Sequence, residues 1–444
     1  ALRCHCRDWL TLASLFSSIK ALDSDRQKIF YATAKTVGKK IAIDSVKLLK
    51  DQGLHIKVLE ITAKDETCFL EKRNCDPEVC PFAKGFFDRL KDATIDIFAN
   101  KSILNRTTIE SYAKKHTICP FEYSLYVSYF VDIIVCDYNY IFDPRVHLVR
   151  YFDWPLLSRP LWRCSPANMI SRSRDMYSAT ITKSDLIKLR RLSNKIKPSI
   201  KSSIKKVLDA FQIYEQRLAN AYFLSDKDIN PLVFDTIRNM LFKVENMLKE
   251  DSKHTNKTQI LDIYFQFLAF VRIYEYYNES YLTNIYKDSS EDLLIELRCL
   301  DASKYILDTL ENKAYGSTFF SATLHPIDYY KKLISQDVGE TLKIKSPFPI
   351  ENLNLMLYHN ISTRYKDREH SLDEVVKTIR EVAYSKNGNY IAFFPSYQYL
   401  NQVYEKLSDS NIELIVQERY MSHLELRTLS QSQRSKKEKS QLGL

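Results

Sequence analysis

The sequence predicts an α/β protein in which parallel sheets, covered by helices, are interrupted by a long helical segment. Short apolar runs alternate with amphipathic stretches in residues 28–142, and again in residues 315–417. Strand–helix–strand alternation is typical of parallel sheets with helices on both faces. Between these regions, residues 184–300 are lysine-rich and repeat their apolar positions with a helical period. We therefore expect a helical insertion that does not continue the sheet.

The first region contains three predicted strands. They lie within the apolar runs 28–36, 54–62 and 128–142, and residues 37–53 have a helical pattern between the first two. Residues 153–166 hold three of the 13 prolines. Because proline cannot donate to a sheet ladder, we do not expect a buried strand in that stretch.

The second region repeats the alternation. Residues 315–326 have a sheet pattern, and residues 372–388 are a predicted helix. Residues 389–397 are a predicted buried strand, followed by a helix in residues 400–411 and a strand in residues 412–417. This order predicts a second αβ unit.

Composition indicates a helix-rich globular chain with an anionic partner. The 444 residues suffice for several domains, and the net charge is +10 with a pI of about 8.9. A basic surplus favours nucleic acid, although solubility alone also explains it. No apolar run approaches the roughly 18 residues of a membrane span, and no signal peptide is evident. We expect a cytoplasmic protein with reduced cysteines, and, since it begins at Ala1, a fragment.

Four cysteines have the spacing of a metal centre. Six residues separate Cys68 from Cys75, four separate Cys75 from Cys80, and 38 separate Cys80 from Cys119. Four thiolates suit an iron–sulfur cluster or zinc. Buried structural cysteines are the alternative. The polar, loop-like neighbours favour metal, and iron–sulfur over zinc, whereas Cys136 lies in an apolar run and is interpreted as core.

Two short motifs follow predicted strands. Thr33, Lys35 and Thr36 in YATAKT could contact a phosphate backbone, and Ser321 and Thr323 in FFSATL could link a nucleotide site to a second ligand. Taken alone, YATAKT is better explained by an ordinary αβ turn with a helix cap, and FFSATL alone is also a weak signal. Their order along the chain is more specific than either motif.

This order resembles the XPD/DinG group of superfamily 2 DNA helicases, in particular the bacterial DinG-like branch. The resemblance runs from about residue 12 to residue 422. It implies two RecA-like motor domains, the second truncated here, with an iron–sulfur insertion and a helical arch in the first motor. It also implies Mg-ATP-driven unwinding of DNA in the 5′-to-3′ direction and a place in DNA repair. The implied segments are 1–60, 123–183 and 301–340 for the first motor, 61–122 for the cluster domain, 184–300 for the arch and 341–444 for the second motor.

Matching the motifs residue by residue assigns roles to positions of this chain. The four cysteines match ligands of a 4Fe–4S cluster. The remaining matches are Thr33 and Lys35 for the DNA backbone, Ser321 and Thr323 for coupling hydrolysis to movement, Ser396 and Tyr397 for strand binding, and Thr363, Arg364 and Tyr365 for the start of the second motor. The implied partner is single-stranded or forked DNA, with no membrane, and we expect a monomer.

The motor motifs depart from the family pattern. Where a GxGKT phosphate loop is expected, the chain reads LRCHCRDWLT, with Leu10 in place of the lysine and only Thr11 left as a nucleotide-binding remnant. Cys164, Ser165, Pro166 and Ala167 replace the DEAH box, and the later arginine motif is absent. We therefore expect no ATP turnover from this chain.

Several interpretations remain open. The breaks are abrupt between good flanks, which suggests a shifted reading frame, and resequencing the gene tests this. The functional alternatives are a non-enzymatic iron–sulfur DNA-binding remnant and a zinc-stabilised interaction module. The lysine-rich stripe of residues 190–206 is as compatible with a solvated helix face as with DNA contact, and the tyrosines of residues 274–281 favour packing between helices over base stacking.

Overall fold

The structure is a computed structural model that describes most of the chain, in separate ranges. It describes residues 6–22, 28–34, 36–148, 151, 161–164, 169–192, 198–218, 221–250, 256–321, 324–345, 349–386, 388–408, 412–417 and 441–443. The chain divides into two compact units, residues 1–342 and residues 343–444. This division lies next to the expected start of a second motor at residue 341, while the finer domain boundaries stay a prediction.

The elements are named in chain order. The strands are β1 (Ile29–Ala32), β2 (Val58–Glu60), β3 (Ile103–Leu104), β4 (Ile133–Cys136), β5 (Leu161–Cys164), β6 (Ala179–Thr182), β7 (Phe223–Asp226), β8 (Tyr281–Lys287), β9 (Leu293–Cys299), β10 (Gly316–Phe319), β11 (Asn389–Ile391), β12 (Glu413–Ile415) and β13 (Gln441–Gly443). The helices of the first unit are α1 (Cys6–Lys20), α2 (Thr36–Asp51), α3 (Lys64–Thr67), α4 (Phe86–Asn100), α5 (Arg106–Lys115), α6 (Pro120–Val127), α7 (Asn139–Phe142), α8 (Met169–Met176), α9 (Lys183–Leu192), α10 (Pro198–Arg217), α11 (Pro231–Glu250), α12 (Lys257–Tyr274), α13 (Ser303–Lys313) and α14 (Ile327–Ser335). Those of the second are α15 (Arg368–Ser385) and α16 (Tyr397–Leu407).

A six-stranded parallel sheet forms the centre of the first unit. Its strand order is β10-β5-β1-β4-β2-β3. Alternate residues of a strand face opposite sides, so Ile29 and Tyr31 pack toward α1 and α2, whereas Phe30 and Ala32 join the larger core on the other face. Every residue of β1 and β4 is buried, which confirms the prediction of buried strands in these two apolar runs.

β5 corrects the expectation for the proline-rich stretch. Its residues Leu161–Cys164 pair with β1 on one side and with β10 on the other, so this is an interior strand of the sheet. The expectation was wrong because the prolines flank this four-residue run and do not enter it. A ladder needs N–H donors only within the paired residues.

The expected helical insertion also contains a sheet. β6, β9, β8 and β7 form a four-stranded antiparallel sheet in that order, and three of these strands lie within residues 184–300. Buried and half-buried residues alternate along β8 and β9, which is the period of a half-covered strand. The all-helical expectation was therefore wrong for these segments, although α9 to α12 confirm helices elsewhere in the insertion.

The second unit, taken by itself, is a small αβ unit. β11, β13 and β12 form a parallel sheet in that order, and α15 packs with α16 around Val376, Tyr399 and Val403. The strand expected in residues 389–397 is shorter and less buried than predicted. It ends at Ile391, which is 63% exposed, and Phe393 is 90% exposed.

None of the helices in the described part of the chain combines the length and the apolar composition needed to span a bilayer.

Candidate functional site

The carboxyl edge of the six-stranded sheet gathers polar side chains from three strands. Thr33 follows β1, Thr62 lies just after β2, and Asp137 follows β4. Parallel strands end at the same edge, and ligands of open α/β sheets bind outside this edge. The edge is therefore the candidate site of the first unit.

Asp137 is the centre of an ion-pair network at this edge. Its Oδ2 lies 3.2 Å from the Lys39 Nζ, and its Oδ1 accepts a hydrogen bond of 3.0 Å from Arg172 Nη1. Lys39 is buried on α2 and also donates to the Ile61 carbonyl oxygen at 3.1 Å. The network joins the helix after YATAKT to α8, which follows the segment where a DEAH box was expected.

Thr33 is buried where the predicted DNA-contacting turn begins. It is 5% exposed, and its amide donates to the Cys136 carbonyl oxygen at 3.0 Å. A Cβ on Gly38 would lie 2.3 Å from the Thr33 Oγ1, so only glycine allows α2 to approach this closely. The buried threonine side chain therefore packs beneath the turn. Lys35 lies outside the described residues.

Thr11 occupies a different environment from a phosphate-binding threonine. α1 is helical from Cys6, so the described residues before Thr11 form helix and not a loop. The Thr11 side chain is 2% exposed, and its Oγ1 lies 3.3 Å from the Tyr31 hydroxyl of β1. This contact directs the hydroxyl into the interface between α1 and the sheet.

The remaining motor positions are described only in part. Ser321 is half-buried two residues after β10, while Thr323 lies outside the described residues. Cys164 ends β5, and residues 165–167 also lie outside them.

In the second unit, Ser396 and Tyr397 begin a helix. Ser396 caps α16, since its side-chain oxygen accepts the Tyr399 N–H at 3.3 Å. Tyr397 is 40% exposed at the first helical position. The start of the second unit presents Tyr365, whose ring is 79% exposed and lies 5.5 Å from the Arg368 guanidinium carbon.

The four predicted metal ligands lie on three segments of the first unit. Cys68 ends α3, Cys75 is exposed, Cys80 is buried, and Cys119 precedes the first residue of α6. All four are free thiols. Cys136, by contrast, is fully buried in β4, and burial raises the pKa of its thiol to about 12, which confirms its interpretation as core.

Direct contacts join the three segments. The Cys119 amide donates to the Phe82 carbonyl oxygen at 3.0 Å, next to Cys80. The rings of Phe69 and Phe82 lie 4.9 Å apart between centroids, which brings the segment after Cys68 against the same loop.

Electrostatics also connect these cysteines. Burial raises the pKa of the Cys119 thiol, while the amides of Glu122 and Phe121 and the Lys64 charge act in the opposite direction. Burial opposes the charged form of Lys64, but the Glu122 hydrogen bond and the neighbouring Cys75 and Cys119 outweigh it and raise the Lys64 pKa. Thiolates at these positions would thus find a nearby cation and helix N-terminal amides.

The four cysteines fit a metal centre in the chemistry of their side chains and in the contacts between the segments that carry them. Among the described residues, no three His, Cys, Asp or Glu side chains already stand together as ligands of a metal ion. The cysteine side chains would therefore have to turn toward one another as a centre forms. Four thiols, three of them on segments that contact one another, are the donor set that an iron–sulfur cluster or zinc requires.

Sequence reasoning missed the Lys39–Asp137–Arg172 network. A signal was present, because Asp137 directly follows an apolar run and Lys39 falls on the buried face of an amphipathic helix. A lysine at an apolar position indicates either a helix edge or a paired buried charge. Only the fold shows that Arg172 reaches the same carboxylate.

Comparisons with known proteins found one matching family model and several similar solved structures, of which the first below shares the fold. Residues 35–151 match the DEAD_2 family model. A solved structure named XPD_Helicase aligns with 99% of this chain and 75% of its own, at 13% identity and a TM-score of 0.52. An XPD structure from S. tokodaii aligns with 98% of this chain and 80% of its own, at 13% identity and a TM-score of 0.41.

Proposed function

Since the chain has the fold of an XPD helicase and carries a DEAD_2 domain, we propose that it is a DNA-binding protein of the XPD/DinG helicase type that has lost ATP turnover. Its ligand is single-stranded or forked DNA. In relatives with an intact motor, Mg-ATP would drive 5′-to-3′ unwinding in repair. We place this chain in the cytoplasm as a monomer.

We propose two DNA-contacting sites, each taken by itself: the turn after β1 in the first unit and the start of α16 in the second. α2 begins at Thr36, and a helix N-terminus presents amides that favour a phosphate. Because Thr33 is buried, Lys35 and the α2 amides are the groups proposed to touch the strand. Ser396 and Tyr397 supply a capped helix start and an exposed ring in the second unit.

Loss of ATP turnover is supported by one observation above all, the position of Thr11. Phosphoryl transfer depends on a backbone cradle, a lysine, and a hydroxyl that holds magnesium. Here the hydroxyl lies against Tyr31, Leu10 replaces the lysine, and no carboxylate occupies residues 164–167.

A DNA-stimulated ATPase assay tests this proposal. We expect hydrolysis at the background rate with and without single-stranded DNA. Robust stimulated hydrolysis, abolished by Thr11→Ala, would overturn the loss of turnover.

A 4Fe–4S cluster on Cys68, Cys75, Cys80 and Cys119 is the second part of the proposal. It is supported by the donor set and by the contacts that join the segments. The cluster would supply a rigid cross-link among these segments. A brown protein containing iron and sulfide supports it, and a colourless protein with bound zinc favours a zinc-stabilised interaction module.

For the present chain the proposal amounts to a non-enzymatic DNA-binding remnant, and a working helicase is the alternative. Both would share the DNA-contacting residues, but the remnant would bind DNA with an affinity indifferent to ATP. The buried Thr11 favours the remnant.

A further inference from the structure

We propose that Arg89 is a positioning residue that holds the cysteine-bearing segments together before any metal centre forms. The inference rests on the proposed four-thiolate centre and concerns how this chain prepares it. Arg89 lies on α4, between Cys80 and Cys119 in sequence, and is half-buried.

One guanidinium nitrogen bridges two of the cysteine segments. Arg89 Nη2 has two N–H groups and lies within hydrogen-bond distance of three carbonyl oxygens, those of Lys84 at 2.5 Å, Thr117 at 2.7 Å and, as a longer shared contact, Pro81 at 3.3 Å. Pro81 directly follows Cys80, and Thr117 lies two residues before Cys119. The side chain therefore fixes the distance between two ligand-bearing segments through their backbones.

Gly85 makes room for this bridge. It caps α4 at a left-handed φ of +61°, and a Cβ at this position would lie 3.0 Å from Arg89 Nη1. Gly85 is one of only 7 glycines in the chain. Its missing side chain allows the left-handed turn and leaves space for the guanidinium.

Other contacts complete the arrangement for three of the four cysteines. The ion pair of Lys64 and Glu122, 3.0 Å between Nζ and Oε1, ties α3 to α6 and so the Cys68 segment to the Cys119 segment. Cys75 differs, because it is exposed, and the nearby ion pair of Arg73 with Asp65 is also largely exposed to solvent.

Arginine suits this role better than lysine. Its planar guanidinium offers five N–H donors in a fixed geometry, whereas a lysine ammonium is a single point on a flexible stem. Supporting residues of this kind typically change metal affinity by 10–100-fold when they are replaced.

The test compares five proteins: wild type, Arg89→Met, Arg89→Lys, Gly85→Ala and the matched control Arg73→Met. Each metal-free protein is titrated anaerobically with Fe²⁺ plus sulfide, and separately with Zn²⁺, and bound metal and visible absorption are measured. Amide hydrogen exchange of Cys119 is followed in the metal-free proteins. Thermal unfolding checks that each variant folds, and Gly85→Ala provides a second, milder displacement of the guanidinium.

For Arg89→Met we expect about 10-fold or greater loss of affinity for the centre that the wild type takes up. Its Cys119 amide should exchange faster, Arg89→Lys should fall between, and Arg73→Met should match the wild type. Wild-type loading and amide protection in Arg89→Met and Gly85→Ala would overturn the role of Arg89 alone. A wild type that takes up neither iron–sulfide nor zinc would overturn the metal centre itself.

Discussion

Asp137 carries two ion pairs at the carboxyl edge of the large sheet. Its Lys39 partner is buried, while Asp137 keeps 29% of its side-chain surface exposed. Removing the counter-ion of a buried ammonium group strongly destabilises the folded state, because the buried positive charge is left without a partner. The pair therefore explains how a lysine can occupy the buried face of α2.

The network yields a stability prediction. Asp137→Ala should lower the free energy of unfolding by about 2–3 kcal/mol, since it leaves Lys39 unpaired. Lys39→Met in the same chain should recover most of that loss. Urea unfolding measures both, with Lys249→Met in the exposed pair with Glu245 as a control that should change little. Additive losses in the double variant would contradict the pairing.

Asp96 supports a prediction about pH. Hydrogen bonds from Lys115 and His116 hold the Asp96 pKa below its ordinary value of 3.8. A carboxyl with a depressed pKa in the folded state stabilises the fold above its unfolded pKa, and this contribution is lost as pH falls through the folded pKa.

The wild type should therefore melt higher than Asp96→Asn at neutral pH, and the gap should close as the pH drops below 3.8. Melting curves across this range, with Asp288→Asn as a second depressed carboxyl elsewhere, measure the gap. A gap that widens on acidification would show that Asp96 acts in another way.

At the scale of elements, the pattern of apolar residues predicted those strands whose burial depends on their own residues. β1 and β4 are continuous apolar runs that lie buried on both faces, as in other parallel sheets. β5 was missed because its strand character comes from its neighbours β1 and β10, and not from its own residues. β8 and β9 were missed because they lie in a region that was predicted as helical throughout. Their alternation of buried and half-buried residues nevertheless has the period of two that is typical of strands.

The contact between β1 and α2 gives an element-scale prediction. Gly38→Ala would place a Cβ 2.3 Å from Thr33 Oγ1, so the helix or the turn must move. We expect about 1–3 kcal/mol of destabilisation and weaker binding of single-stranded DNA. Adding Thr33→Ala should relieve the clash. Gly388→Ala, where a Cβ meets nothing within 4 Å, is the control. Full stability of Gly38→Ala would contradict the close approach.

At the scale of the whole molecule, the sequence predicted the α/β class. The four cysteines could be proposed as metal ligands from their spacing alone, and this assignment stays a prediction. The candidate site was not predictable where partners come from distant segments, since Lys39, Asp137 and Arg172 meet only through the sheet order. For the same reason the bridge from Arg89 to three carbonyl oxygens has no signature in the sequence.

The most direct test of a DNA-binding protein without a working motor is its affinity for single-stranded DNA with and without Mg-ATP. Fluorescence anisotropy of a labelled oligonucleotide, titrated at several salt concentrations, gives this affinity. We predict binding that weakens with salt, by about 0.7 in the log–log slope for each phosphate contact, and that Mg-ATP leaves unchanged. Binding that ATP shifts, or no binding above that of a matched acidic protein, would contradict the proposed function.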